Sequence, residues 1–141
     1  MNIKEQNGQI IAELLDRIGP EDAMVSNGSD WDLLVYYSDR EGDTLTIEMC
    51  LKSDYRGDPL FDPLMRIELT PCGEKSFAAA PLYYQSKTLF YEEEIYAEGN
   101  PSCWNPKLYE KKAGELDGRL AEWLTSLRIQ GYLTGGTVTR L

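Results

Sequence analysis

The sequence predicts an α+β fold, in which an antiparallel sheet of about five strands is flanked by an N-terminal helix and a C-terminal helix. Two observations support this prediction. Near both ends of the chain apolar residues recur at three- and four-residue steps, whereas the middle is rich in β-branched and aromatic residues separated by turn residues. With 141 residues, 42% of them apolar, we expect a single domain over residues 1–141.

The first helix is predicted close to the N-terminus. Gly19 and Pro20 end its pattern, because glycine suits the residue just past a helix and proline cannot continue one. The predicted apolar stripe of this helix consists of Ile3, Ile10, Ile11, Leu14, Leu15 and Ile18.

The sheet is predicted between residues 31 and 96. Residues 31–37 and 44–51 are rich in β-branched and aromatic side chains, and the segment between them contains Gly42, so they predict a hairpin. We expect residues 53–63 to form a loop, because Gly57, Pro59 and Pro63 interrupt it. Three further strands are predicted over residues 64–70, 76–84 and 89–96, with a turn at residues 71–74.

The C-terminal helix has the clearest signals. Asn105 is a favourable N-cap, Pro106 suits the first helical position and Gly131 suits the residue past the end. Gly114 and Gly118 either allow close packing against the sheet or another subunit, or are simply tolerated. Residues 134–141 are expected to be a frayed tail. The predicted apolar stripe consists of Tyr109, Ala113, Leu116, Leu120, Trp123, Leu124 and Leu127.

The charge is strongly acidic and unevenly placed. The chain has 24 acidic and 14 basic residues, a net charge of −10. Residues 1–98 hold 20 acids and 8 bases (net −12), whereas residues 99–141 hold 4 acids and 6 bases (net +2). Because phosphate binding depends on clustered lysine and arginine, we expect no direct binding to nucleic acid or to anionic membranes.

Most catalytic chemistries lack their residues in this chain. The sequence contains no histidine, so Ser-His-Asp and Cys-His nucleophiles and histidine zinc sites are excluded. Cys50, Cys72 and Cys103 have neither the spacing of a zinc site nor the pairing of a disulfide scaffold. We therefore predict no catalytic residue, no metal ligand and no cofactor. A reducing cytoplasm fits best, because the N-terminus also has no export signal.

Candidate binding residues come from the acidic positions. We select five that are expected to be exposed in loop and strand positions: Asp54, Asp58, Asp62, Glu92 and Glu94. Because strand side chains alternate between faces, Glu92 and Glu94 should share one face and Glu93 should lie on the other. The glutamate run is typical of an edge strand protected by charge, and a recognition surface is the alternative.

Parts of the second half resemble a known family. The resemblance covers roughly residues 58–133 and is to an uncharacterised family of small proteins encoded on conjugative elements and phages of gut Firmicutes, a domain of unknown function. It implies the context of a mobile genetic element and assigns no catalytic residue. The matching segments are Asp62-Pro63-Leu64-Met65, Ala80-Pro81-Leu82-Tyr83-Tyr84-Gln85, Tyr91-Glu92-Glu93-Glu94-Ile95-Tyr96, and Trp123-Leu124 with Leu127, Gln130, Gly131 and Tyr132.

Three functions remain open at this point. The first is a non-enzymatic protein-interaction module of a mobile element, accessory or host-modulating, supported by nine tyrosines, which are favoured at interfaces. The second is an acidic nucleic-acid mimic that inhibits a DNA- or RNA-binding protein; here residues 21–62 hold 11 acids against 3 bases. The third is a metal-dependent enzyme that uses carboxylates. The expected partner is a protein, and homo-oligomer formation is left open.

Overall fold

The computed structural model describes residues 1–55, 57–74, 76–87, 91–94 and 106–141. Within these residues it contains two helices and an antiparallel sheet, which confirms the α+β prediction. Over the same residues the sheet has seven strands rather than the predicted five, because the short strands Ala23–Ser26 and Thr137–Arg140 were not predicted. The elements in chain order are α1 (Ile3–Ile18), β1 (Ala23–Ser26), β2 (Asp32–Glu41), β3 (Thr44–Tyr55), β4 (Asp58–Gly73), β5 (Ser76–Ser86), β6 (Tyr91–Glu94), α2 (Pro106–Ile129) and β7 (Thr137–Arg140).

All strand pairs of the sheet are antiparallel. The order is β6-β5-β4-β3-β2-β1-β7, so six consecutive strands form a meander and β7 is added beside β1. Alternate residues of the strands form one buried core with both helices, for example Val35, Met49 and Met65 with Leu14 and Leu124. The helices therefore cover one face of the sheet, and the other face carries no helix of the described residues.

Helix α1 ends at the predicted signal and begins at a cap that the sequence analysis did not identify. The side chain of Asn2 accepts a hydrogen bond of 2.9 Å from the backbone N–H of Glu5, which satisfies one free donor of the first turn. At the other end Gly19 adopts a φ of 83°, and its N–H donates to the carbonyl of Leu15. The sequence prediction of this helix and of its glycine terminator is confirmed.

Polar contacts fix α1 against α2. The Lys4 ammonium lies 3.0 Å from a carboxylate oxygen of Asp117, and the amide of Asn7 donates at 3.1 Å to the Asp117 carbonyl. Asn7 and Asp117 are both buried. Because buried polar groups are stable only with suitable partners, these contacts favour one relative position of the two helices.

The predicted loop over residues 53–63 is wrong. Strand β3 continues to Tyr55 and β4 begins at Asp58, so this region is the end of a long hairpin around Gly57, whose φ is 86°. Both prolines lie within β4. Pro63 follows a cis peptide bond at a register shift, a place where a strand tolerates a residue without an N–H donor.

The predicted frayed tail is also wrong. Residues 137–140 form β7, which pairs with β1, a short strand that the sequence pattern did not indicate. The guanidinium of Arg17 binds the turn that precedes β7: it donates to the carbonyls of Tyr132 at 3.0 Å, of Gly136 at 3.2 Å and of Gly135. This link to α1 holds the last residues against the sheet.

Helix α2 begins at Pro106 and ends at Ile129, and Gly131 has a φ of 86°, as predicted. The close approach of Gly114 and Gly118 to the sheet is wrong, because a Cβ atom on either would meet nothing within 4 Å. Packing of these glycines against another subunit stays a prediction.

No helix of the described residues is long and apolar enough to cross a membrane. The predicted N-cap Asn105, the third cysteine Cys103 and the strand ends at residues 89–90 and 95–96 lie outside the described residues.

Candidate protein-interaction surface

The face of the sheet opposite the two helices, called here the helix-free face, has an apolar centre. Leu34 pairs with Cys50 and Cys50 pairs with Leu64, so these three residues lie side by side on adjacent strands. Leu34 and Cys50 are only 3% and 1% exposed, yet neither belongs to the core beneath the helices. The sheet therefore has apolar side chains at the centre of both faces.

A cavity of about 350 Å³ lies within this apolar centre. Its lining combines two aromatic rings, two small or aliphatic side chains and one carboxylate. These are Tyr36, Phe61, Cys50, Leu64 and Glu48. Such a combination, mainly apolar with a single charged group, is typical of a site that accepts one side chain or a small molecule.

The carboxylate of Glu48 lacks a partner within the described part of the chain. Its neighbour across β4 is Arg66, but the guanidinium of Arg66 lies over the ring of Tyr83, 5.3 Å from the ring centre, and no ion pair joins it to Glu48. Glu48 is half-buried. A basic group brought to the cavity would therefore find a carboxylate acceptor that no ion pair or hydrogen bond of the described residues occupies.

The charge of Glu48 also acts on the cavity floor. Burial raises the pKa of the Cys50 thiol, the Glu48 charge raises it further, and the net result is a pKa of about 12. Burial likewise raises the pKa of the Tyr36 phenol. Both groups are therefore neutral at pH 7, and Cys50 is not a reactive thiolate. The cavity consequently offers one negative charge in neutral, mainly apolar surroundings.

The helix-free face is acidic as a whole. The strand register places seven acidic and two basic side chains of the described residues on it, a net charge of −5. Helices α1 and α2, on the opposite side, together carry seven acidic and seven basic residues. The uneven charge of the sequence thus separates the two sides of the protein. The charged residues of the helix-free face are Asp32, Asp39, Glu41, Glu48, Asp54, Glu68 and Glu92, together with Lys52 and Arg66.

The structure brings together only part of the predicted binding set. Asp54 lies on the helix-free face near the β3–β4 turn, and Glu92 lies on the same face at β6, where it accepts a 3.5 Å hydrogen bond from Gln85. Asp58 pairs with Tyr55, so the alternation along the strand assigns it to the opposite face of the sheet. Asp62 is half-buried at the register shift of β4. The five residues do not form one cluster.

The glutamate run follows the predicted alternation. Glu93 lies on the helix side of β6, where one of its carboxylate oxygens is 2.5 Å from the Lys112 ammonium of α2, an ion pair without the alignment of a good hydrogen bond. Glu94 pairs with Tyr83 in register, and its side chain lies outside the described part. Strand β6 ends the sheet as described, in agreement with the prediction of an edge strand.

Sequence reasoning missed the residues that line the cavity. Phe61 was assigned to a loop, so its place beside Lys52 on a strand could not be inferred. The available signal was the alternation of Glu48 and Cys50 with Ile47 and Met49 in β3, which places them on the face opposite the core. Among the described residues, no group of three or more His, Cys, Asp or Glu side chains could hold a metal ion, so the structure adds no support for a metal-dependent enzyme.

Comparison of the chain with protein-family models, with curated proteins and with solved structures gives no match. The resemblance to proteins of conjugative elements and phages therefore stays a prediction.

Proposed function

We propose that this protein is a non-enzymatic interaction module that binds a basic surface of a partner protein through its helix-free face. The observation that carries the proposal is the half-buried Glu48 carboxylate, which lines an apolar cavity and has no partner among the described residues. The acidic residues around it favour a positively charged partner.

The cavity suits the side chain of an arginine or a lysine. The aliphatic part of such a side chain would contact Leu64, while its charged end would meet the Glu48 carboxylate. The rings of Tyr36 and Phe61 add a surface on which a guanidinium can stack, which favours arginine over lysine. A single anchoring side chain in a central pocket is how many protein interfaces obtain most of their affinity.

The surrounding acidic residues have a different role. Carboxylates such as those of Asp39 and Asp54 are exposed at other positions on the same face, where solvent screens them. Charges of this kind increase the rate of association with a basic partner and make it sensitive to salt, but each adds little affinity. We therefore expect binding to weaken as salt rises without disappearing, because the apolar contacts remain.

The cellular role follows from the resemblance of the sequence. As a factor of a mobile genetic element, the module would act as an accessory or host-modulating protein in the cytoplasm. The acidic face also favours a second candidate function, that of a nucleic-acid mimic. In that case the partner would be a DNA- or RNA-binding protein, and the row of carboxylates would occupy its basic groove.

Affinity capture from a bacterial host lysate tests the proposal when wild type is compared with two variants. Glu48→Gln removes the charge in the cavity, and Glu122→Gln removes an exposed charge on α2. We expect proteins that are retained by wild type and by Glu122→Gln but lost with Glu48→Gln. The proposal is wrong if no protein shows this difference. If duplex DNA displaces the captured partner from this protein, the protein is a nucleic-acid mimic. If duplex DNA does not displace the partner, the protein is an ordinary interaction module.

A further inference from the structure

A second and larger cavity lies on the other side of the molecule. It has a volume of about 640 Å³ and forms a groove between the outer side of α1 and the ends of β2, β3 and β5. The α1 wall is formed by Gln9, Ala12, Glu13 and Asp16, at helical spacing, and the opposite wall by Tyr37, Arg40, Leu45 and Phe77. Its volume is within the range of about 300–1,000 Å³ that is usual for sites of small ligands.

The floor of the groove is apolar. Leu15 and Leu45 are buried beneath it, and the rings of Tyr37 and Phe77 are half-buried along it. The hydroxyl of Tyr37 donates a 2.6 Å hydrogen bond to the carbonyl of Gly19, so this ring is held in place. The groove therefore offers a fixed aromatic and aliphatic surface for an apolar group.

The two walls carry opposite charges that do not meet. The Asp16 carboxylate stands on the α1 wall and the Arg40 guanidinium on the β2 wall, and in the described chain neither takes part in an ion pair or a side-chain hydrogen bond. Glu13 differs, because its carboxylate lies 3.6 Å from Arg128 of α2. Asp16 and Arg40 are thus the charges of the groove that remain available to a ligand.

The positive end of the groove is reinforced by a second arginine. Burial and the Asp22 charge raise the pKa of the Tyr37 phenol, and the charges of Arg140 and Arg40 partly oppose them. Arg140 also lies against Gly19, another lining residue, and donates a hydrogen bond to the carbonyl of Glu21. The Asp22 carboxylate, which accepts a 2.8 Å hydrogen bond from the backbone N–H of Tyr37, lies near this end as well. Among the lining residues, the basic group is Arg40 on β2 and the acidic group without an ion pair is Asp16 on α1, with an apolar surface between them.

We propose that this groove binds a short peptide with free termini and a large apolar side chain. The peptide ammonium would face Asp16, its carboxylate would face Arg40, and its apolar side chain would lie on Leu45 and Phe77. Opposite charges held apart across an apolar floor match such a zwitterion better than a ligand of a single charge. This site is separate from the helix-free face and does not depend on its function.

Calorimetric titration with the tripeptide Ala-Phe-Ala tests the proposal. The probe is compared with its N-acetylated form, which lacks the ammonium, and with its C-amidated form, which lacks the carboxylate. We expect wild type to bind the free tripeptide and to bind each blocked form about two- to fivefold more weakly, because Asp16 and Arg40 are exposed and ion pairs of exposed side chains add only this much affinity.

Two variants assign the ends of the peptide. Asp16→Asn should bind the free tripeptide more weakly than wild type, and its affinity should fall on amidation of the peptide but not on acetylation. Arg40→Gln should also bind more weakly, and its affinity should fall on acetylation but not on amidation. Glu122→Gln on α2 is the matched charge control and should behave as wild type. Unchanged melting temperatures show that the variants are folded. The proposal is overturned if no probe binds saturably at millimolar concentration, or if both variants respond alike to both blocked peptides.

Discussion

A Cβ atom placed on Gly8 of α1 would lie 1.8 Å from the carbonyl oxygen of Phe77 in β5. The helix therefore rests directly on the backbone of the strand, at a distance that no other residue type allows. Phe77 is also part of the groove between α1 and the sheet. The contact of these two residues thus sets both the packing of α1 and the width of that groove.

Replacement of Gly8 by alanine tests this contact. Alanine is the better helix former by about 1 kcal/mol, but its methyl group must push the helix away from β5. We expect the free energy of unfolding to fall by about 1–3 kcal/mol, the usual cost of overpacking. Gly118→Ala in α2 is the matched control, since nothing lies within 4 Å of its added methyl group. Urea denaturation should show it equal to wild type or up to about 1 kcal/mol more stable. Equal destabilisation of both variants would contradict the close contact.

Replacement of Arg17 by methionine tests the attachment of the C-terminal strand. The guanidinium donates to the carbonyls of Tyr132, Gly135 and Gly136, so its removal leaves these acceptors without their charged donor. We expect a loss of stability of about 1.5–3 kcal/mol and faster hydrogen exchange of the β7 amides.

Arg128→Met is the control for that experiment. Arg128 is 53% exposed and makes a single 3.6 Å contact with Glu13, which is 63% exposed, so its removal should cost less than about 1 kcal/mol. If β7 exchanges at the same rate in wild type and in Arg17→Met, the guanidinium does not hold this strand.

The pKa of Cys50 predicts a loss of stability at alkaline pH. The thiol has a pKa of about 12 in the folded protein, because it is buried and lies near Glu48, whereas its ordinary value is 9.0. At pH 9 and above the unfolded chain therefore releases this proton first. The contribution of the neutral thiol to the free energy of unfolding is complete below pH 9 and is lost progressively as the pH rises towards 12.

Cys50→Ala should remove this dependence. We expect the free energy of unfolding of wild type to decline more steeply above pH 9 than that of the variant, as measured by urea denaturation at a series of pH values. Tyr36 and Tyr37, whose pKa values burial also raises, are present in both proteins and contribute to both curves. Parallel curves would show that the Cys50 thiol is not held neutral.

The sequence predicted the elements that carry strong periodic patterns and missed those that depend on distant contacts. Helix α1 has an apolar stripe and a glycine terminator, so the helix and its end could be found from local signals, whereas its Asn2 cap was seen only in the structure. Strands β1 and β7 have four residues each, and they exist as a pair because Arg17 and the turn after α2 bring them together. Such short strands have no pattern of their own.

The sequence predicted the sign of the surface charge but not the positions of the charged groups or of the cavity. Acidic composition alone indicated a negative surface, and the alternation of the glutamate run placed Glu92 and Glu93 correctly on opposite faces. The cavity depends on the register between β3 and β4, where the shift around Pro63 decides that Phe61 lies beside Lys52. Composition cannot show which carboxylate lacks a partner, so Glu48 emerged only from the structure.

The most direct test of the proposed function is the dissociation constant of a captured partner for wild type, Glu48→Gln and Glu122→Gln, measured at low and at physiological salt. If a basic side chain of the partner pairs with Glu48 in the cavity, Glu48→Gln should raise the dissociation constant at least about tenfold. The reason is that loss of the Glu48 carboxylate leaves the partner's charge buried without a counterion. Glu122→Gln should stay within about twofold of wild type at both salt concentrations. Equal effects of the two substitutions would contradict binding through the helix-free face.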